Sequence, residues 1–130
     1  MNNKDLIKLA QEAQKNAYAP YSKFKVGCAV LCENGEILTG CNVENIAGTS
    51  NCAERTAIYS GVAKGNKQFK TIAVIGDGND YCYPCGTCRQ VIIEHSPNAT
   101  VICAKNQQDY QEYKIKELLP HAFYPEELKK

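Results

Sequence analysis

The chain has 130 residues, a net charge of +1 and 44% hydrophobic residues, which suits one domain spanning 1–130 with a core of its own. Charges of both signs are spread along the whole length, so no phosphate-backbone groove is indicated and a nucleic-acid polymer is not an expected partner. No apolar run approaches a membrane span and the N-terminus lacks a signal peptide's hydrophobic stretch, so a soluble, cytoplasmic protein without a membrane partner is expected.

Residues 3 to about 18 carry Leu6, Ala10, Ala13 and Ala17 as an apolar stripe between Lys, Gln and Glu. That spacing predicts an amphipathic helix, ended by the turn at Ala19-Pro20. Phe24, Val26, Cys28 and Val30 alternate as a strand should, Asn34-Gly35 predicts a type I′ hairpin turn, and residues 37–41 return as the second strand. Residues 42–51 read as a loop. Helical pattern resumes from Cys52 to about Ala63, and Thr71 to Ile75 is a short buried strand. A polar loop leads into Pro84, expected in the first turn of a helix that runs to about Glu94 and stops at Ser96-Pro97. Thr100 to Ala104 and roughly Gln111 to Ile115 complete the strands, with a short helical tail beyond. A hairpin followed by alternating helices and strands predicts an α/β fold. It is a three-layer α/β/α sandwich around a mixed five-stranded sheet.

Eight cysteines without an export signal belong to a reducing compartment, where disulfides rarely persist. Cys28, Cys32, Cys41 and Cys103 lie in apolar, strand-like runs and read as small buried hydrophobes. Cys82, Cys85 and Cys88 are evenly spaced like part of an iron–sulfur ligand run. Position 92, where the next cysteine of that run belongs, is Ile92. The other pattern is Cys52-Ala53-Glu54-Arg55 together with Pro84-Cys85-Gly86-Thr87-Cys88-Arg89. Three thiols leave a tetrahedral zinc one open position, as a catalytic site requires. A fourth thiol, Cys82 or a more distant one, would instead close the site into a structural module.

Cys85 and Cys88, three apart, face the same way on a first helical turn. Cys52 opens a second helix, so two helix N-termini converge on the metal and favour thiolates. Zinc with three thiolates carries a net negative charge and acidifies water poorly, so a cation must offset it. Arg55 and Arg89 are the candidates, and Arg55, next to Glu54, is favoured. A Cys-x-Glu segment followed by Pro-Cys-x-x-Cys is the pattern of the zinc deaminases of nucleobases. In them a carboxylate that does not bind the metal moves protons during hydrolysis. Spacing alone does not place Glu54 beside the metal, because residues two apart diverge on a regular helix. That step rests on the motif.

Nearly the whole chain resembles the small, homotetrameric cytidine deaminase family. Besides the metal motifs, the likeness is carried by Tyr18-Ala19-Pro20-Tyr21-Ser22-Lys23-Phe24-Lys25-Val26-Gly27, by Gly40-Cys41-Asn42-Val43-Glu44-Asn45, by Cys88-Arg89-Gln90, and by Leu118-Leu119-Pro120-His121-Ala122-Phe123. The resemblance implies zinc held by Cys52, Cys85 and Cys88, with Glu54 as proton shuttle. It implies hydrolysis of cytidine and deoxycytidine to uridine and deoxyuridine with release of ammonia, as in pyrimidine salvage. Asn42 and Glu44 would hold a sugar hydroxyl, Phe24 would lie against the pyrimidine, and the Ala53 backbone would meet the base. Phe123 would reach the base in a neighbouring subunit of a homotetramer. The segment Ile46-Ala47-Gly48-Thr49-Ser50-Asn51 departs from the family: it lacks the usual aromatic and is one residue shorter. A related aminopyrimidine nucleoside such as blasticidin S is the alternative substrate, and a non-catalytic zinc module the alternative of another class.

Overall fold

The computed structural model describes residues 1–129. Five strands form one sheet in the order β2-β1-β3-β4-β5. They are β1 (Val26–Cys32), β2 (Ile37–Cys41), β3 (Phe69–Gly76), β4 (Thr100–Ala104) and β5 (Tyr110–Lys114). The first strand pairs antiparallel with β2 and β3, β3 runs parallel to β4, and β5 returns antiparallel. The sheet is therefore mixed, as predicted. Helix α1 (Asn3–Gln14) covers one face, while α2 (Ala53–Ala63) and α3 (Gly86–His95) cover the other. A short α4 (Ile115–Leu118) and a 3-10 turn (Pro125–Lys129) end the described chain. None of these helices is long and apolar enough to cross a membrane.

The two faces of the sheet carry separate cores. Leu6, Ile7 and Ala10 of α1 meet Ala29, Ala73, Ile75 and Ile102. Across the sheet, Cys28, Val30, Ile72, Val74 and Val101 meet Ala57 and Ile58 of α2 and Ile92 of α3. Each fully buried Ile, Leu or Val contributes about 1.5–3 kcal/mol of transfer free energy. Successive side chains of β1 point to opposite faces, and both faces are covered. Hence Gly27 to Val30 are all buried, with no polar alternation. Cys28, Cys32 and Cys103 are buried as small apolar residues, and Cys41 is half-buried.

The structure departs from five local expectations. Helix α1 ends at Gln14 rather than near Tyr18. Tyr18 is drawn into a bridge with Val43, and its N–H donates to the Asn42 carbonyl at 3.0 Å. The first strand begins at Val26, leaving Phe24 in the loop before it. The hairpin is not type I′, which needs positive φ at both central residues. Gly35 has φ +91°, and its N–H donates to the Cys32 carbonyl. The turn is therefore a three-residue loop centred on Glu33-Asn34 with glycine in the left-handed position. Pro84 lies outside α3, because Cys85 is the N-cap and the helix begins at Gly86. The last strand also closes at Lys114, and Ile115 opens α4 instead.

Candidate active site

Cys52 is the N-cap of α2 and Cys85 the N-cap of α3, each in an extended conformation. Neither side chain hydrogen-bonds its own helix as a capping residue usually does. Both sulfurs are turned toward one point instead, joined there by Cys88 from the first turn of α3. The three Sγ atoms lie within 4.8 Å of one another. Cys52 Sγ and Cys85 Sγ are 3.7 Å apart. Two sulfurs bound tetrahedrally to zinc at 2.3 Å sit about 3.8 Å apart. The donor set and its spread therefore fit zinc, with a fourth position left over. Cys82 is not in this group, which argues against both the closed site and the iron–sulfur run.

Glycine makes the approach of α2 possible. A Cβ at Gly40 on β2 would stand 2.7 Å from the Ala53 carbonyl oxygen and 2.5 Å from the Ala57 nitrogen. With no side chain at 40, the first turn of α2 lies against the sheet and fixes Cys52, Ala53 and Glu54. Ala53 is buried, and Glu54 is only 3% exposed. The Glu54 carboxyl is pushed up to about 7, chiefly by burial and further by the Cys52 thiolate. A carboxyl poised near neutrality suits a group that both accepts and donates a proton.

The sulfur cluster is electrostatically prepared. The Cys52 thiol is drawn down to about 5, first by a hydrogen bond from Cys88 and then by one from Arg55, against the cost of burial. Cys88, as the donor in that pair, is held upward. Arg55 Nη2 donates to Cys52 Sγ at 3.4 Å, and its Nε is buried without a hydrogen-bond partner. Arg89, the other candidate cation, is engaged elsewhere. Its Nε donates to the Pro84 carbonyl at 2.8 Å and its Nη1 to the Leu118 carbonyl at 2.9 Å. Those bonds tie the approach to Cys85 to the end of α4.

A cavity of about 190 Å³ opens onto this cluster, lined by Phe24, Val26, Asn42, Cys52, Ala53, Glu54, Cys82, Tyr83 and Cys85. Six of the ten residues singled out in the sequence thus share one concavity. Asn42 commits half of its amide to scaffolding: Nδ2 donates one hydrogen to the Phe24 carbonyl and Oδ1 accepts from Val26 N–H, which leaves one N–H and one lone pair. Glu44 accepts from the N–H groups of Tyr21 and Ser22 at 3.0 and 3.1 Å, beside the cavity rather than in its lining. Phe123 is 50% exposed and away from that lining. Its carbonyl accepts from Gln90 Nε2.

Val26, Cys82 and Tyr83 were not foreseen as lining residues. Burial pushes the Cys82 thiol up to about 12, so it behaves as an apolar wall. Tyr83 is braced from β5, its hydroxyl donating to Gln111 Oε1 at 3.0 Å with Tyr113 donating to the same oxygen. Gln111 and Tyr113, two apart, share one face of β5, but no local spacing links either to Tyr83. Only the place of Tyr83 beside Pro84-Cys85 hinted at a role.

A model of the cytidine and deoxycytidylate deaminase zinc-binding region matches residues 1–104. The cytidine deaminase of Halalkalibacterium halodurans is 43% identical over 130 aligned positions, covering 98% of each chain. That of Sporosarcina psychrophila is 44% identical, over 98% of this chain and 96% of its own. Among solved structures, the cytidine deaminase of Burkholderia pseudomallei superposes with a TM-score of 0.90 at 44% identity. The superposition covers 95% of this chain and all of that one.

Proposed function

The chain belongs to the cytidine and deoxycytidylate deaminase family, and from that premise we propose that it hydrolyses cytidine and deoxycytidine to uridine and deoxyuridine with release of ammonia. The observation that carries this reading is a buried carboxyl, Glu54, in one cavity with Cys52 and Cys85, whose sulfurs converge with that of Cys88.

Cys52, Cys85 and Cys88 would hold zinc. Bound there, zinc would supply the Lewis acidity that brings the ionisation of a water toward neutral pH. Glu54 takes one proton from the water that attacks the amine-bearing carbon and delivers it to the adjacent ring nitrogen, then takes that oxygen's remaining proton and passes it to the departing ammonia. Arg55 offsets the negative charge of the sulfurs through its bond to Cys52. Phe24 offers a ring at the cavity wall for the flat base, and the Ala53 backbone meets the base edge.

Asn42 and Glu44 hold a sugar hydroxyl, the one as amide and the other as acceptor. Phe123, half-exposed and outside its own cavity, completes the site of a neighbouring subunit in a homotetramer. Tyr18, Tyr21, Val43 and Ile46, also exposed, supply apolar area for such contacts. All eight cysteines are unpaired, in keeping with a single domain working in a reducing cytoplasm.

The test is ammonia release from cytidine and from deoxycytidine by the zinc-loaded protein. Turnover of both is expected. Stoichiometric zinc with no turnover of either, or of blasticidin S, would make the cluster a structural module and overturn the proposal.

A further inference from the structure

Phe24 precedes β1, so no strand of its own fixes its ring, and 42% of the residue is exposed. A loop aromatic that is to lie flat against a base needs something else to fix it. We propose that the segment Gly76-Asp77-Gly78, where β3 ends, is a positioning cradle for Phe24 and thereby sets how well the cavity fits the pyrimidine. The inference rests on the deaminase reading above.

Three contacts build the cradle. A Cβ at Gly76 would stand 2.7 Å from Phe24 Cζ and 2.8 Å from Cε2, so the ring occupies the space a side chain would take. A Cβ at Gly78 would touch Cε1 at 3.5 Å, so the second glycine flanks another part of the ring. Between them, Asp77 Oδ2 accepts from the Lys25 N–H at 2.9 Å, pinning the backbone next to Phe24. Its other oxygen accepts from Gln14 Nε2 at 3.1 Å, and the same nitrogen donates to the Lys25 carbonyl at 3.1 Å. Helix α1, on the opposite face of the sheet, thus helps hold a residue of the cavity.

Neither Gly76 nor Gly78 has positive φ; the glycines that do are Gly35, Gly48 and Gly65. Alanine fits the backbone at 76, and its cost falls on the ring rather than on the strand. The Cys82 sulfur lies 3.3 Å from where that Cβ would be and closes that side of the notch. A ring pushed off Gly76 moves into the cavity or out toward solvent, and either motion spoils the fit to a flat base.

Steady-state kinetics with cytidine test this. Gly76→Ala is expected to raise KM about fivefold with kcat within about twofold, the signature of lost uniform binding, and with zinc content unchanged. Asp77→Asn, which adds no atom to the notch, should move KM the same way by less. In a Phe24→Leu background, Gly76→Ala should cost nothing further, because the coupled partner is gone. An unchanged KM in Gly76→Ala overturns the cradle, and so does an equal rise in both backgrounds or a fall in kcat that tracks zinc loss. If the wild type fails to turn over cytidine, the deaminase reading falls separately. The crystal structure of Gly76→Ala then decides the cradle, and an unmoved Phe24 ring overturns it.

Discussion

The sulfur floor of the cavity rests on two helix ends, whereas its rim rests on loops. Cys52, Glu54, Cys85 and Cys88 are set by the first turns of α2 and α3, and Gly40 locks one of those turns against the sheet. Phe24, Asn42 and Glu44 sit outside regular structure and are held by side-chain to backbone hydrogen bonds, Asn42 to Phe24 and Val26 and Glu44 to Tyr21 and Ser22. The floor is buried at Ala53, Glu54 and Cys88, while the rim residue Phe24 is exposed. Chemistry that needs a fixed proton donor in a dry setting sits on rigid elements. Recognition of a substrate that must enter and leave sits where segments adjust.

The sharpest way to break this contrast is at the floor. Glu54→Gln keeps shape and zinc ligands but removes the proton-carrying group. Turnover should fall by about 10²–10⁴-fold with zinc stoichiometry and thermal midpoint preserved. If the variant retains wild-type turnover while equally loaded, the floor is not the seat of proton transfer.

Arg55→Gln comes next. It takes away the donor to Cys52 Sγ and the positive charge that balances the sulfurs. A hydrogen bond to a charged group is worth about 1.5–3 kcal/mol, so kcat should drop by about tenfold or more. The Cys52 thiol should also titrate higher in the metal-free protein. A thiolate absorbance titration checks the second point, and an unmoved Cys52 would assign Arg55 a packing role only.

The rim should respond differently. Asn42→Ala deletes two backbone-directed hydrogen bonds, to Phe24 and Val26, at a cost of about 1–3 kcal/mol. A several-fold rise in KM should therefore come with a lower thermal midpoint. Unlike Glu54→Gln, this variant couples recognition to stability. A rise in KM with an unchanged midpoint would show that Asn42 acts on substrate alone.

How much of this was legible in the sequence divides along the same line. The floor is encoded within short segments, so Cys52-x-Glu54 and Cys85-x-x-Cys88 disclosed both the convergent sulfurs and the neighbourhood of two helix starts. The apparent conflict over Glu54 came from treating Cys52 as helical. Cys52 is an extended N-cap with φ −70° and ψ 159°, so the rule that residues two apart diverge on a helix does not apply to this pair. The rim is assembled from positions distant in sequence. Nothing in Phe24 announces Gly76, and nothing in Tyr83 announces Gln111. Strand β1 begins at Val26, later than the alternation predicts, since that alternation runs back to Phe24. That apolar residue belongs to the cavity rather than to the core.

The smallest effect expected is at Glu44, and its sign is fixed by what the carboxylate accepts. Its pKa lies below the ordinary 4.5, through hydrogen bonding from Ser22 first, then the N–H groups of Ser22 and Tyr21 and the nearby Lys23 charge, against a small burial cost. A depressed folded pKa means that the unfolded chain binds the proton more readily. The stabilisation is therefore fully present above about pH 4.5 and is lost as pH falls through the lower folded value. Glu44→Gln removes that dependence, so the stability gap between wild type and variant should shrink on acidification through this window and stay flat from pH 6 to 8. Urea denaturation midpoints across that range would show it. A gap that widened on acidification would mean that Glu44 is held protonated, and that the turn at Tyr21-Ser22 is anchored by something other than a carboxylate.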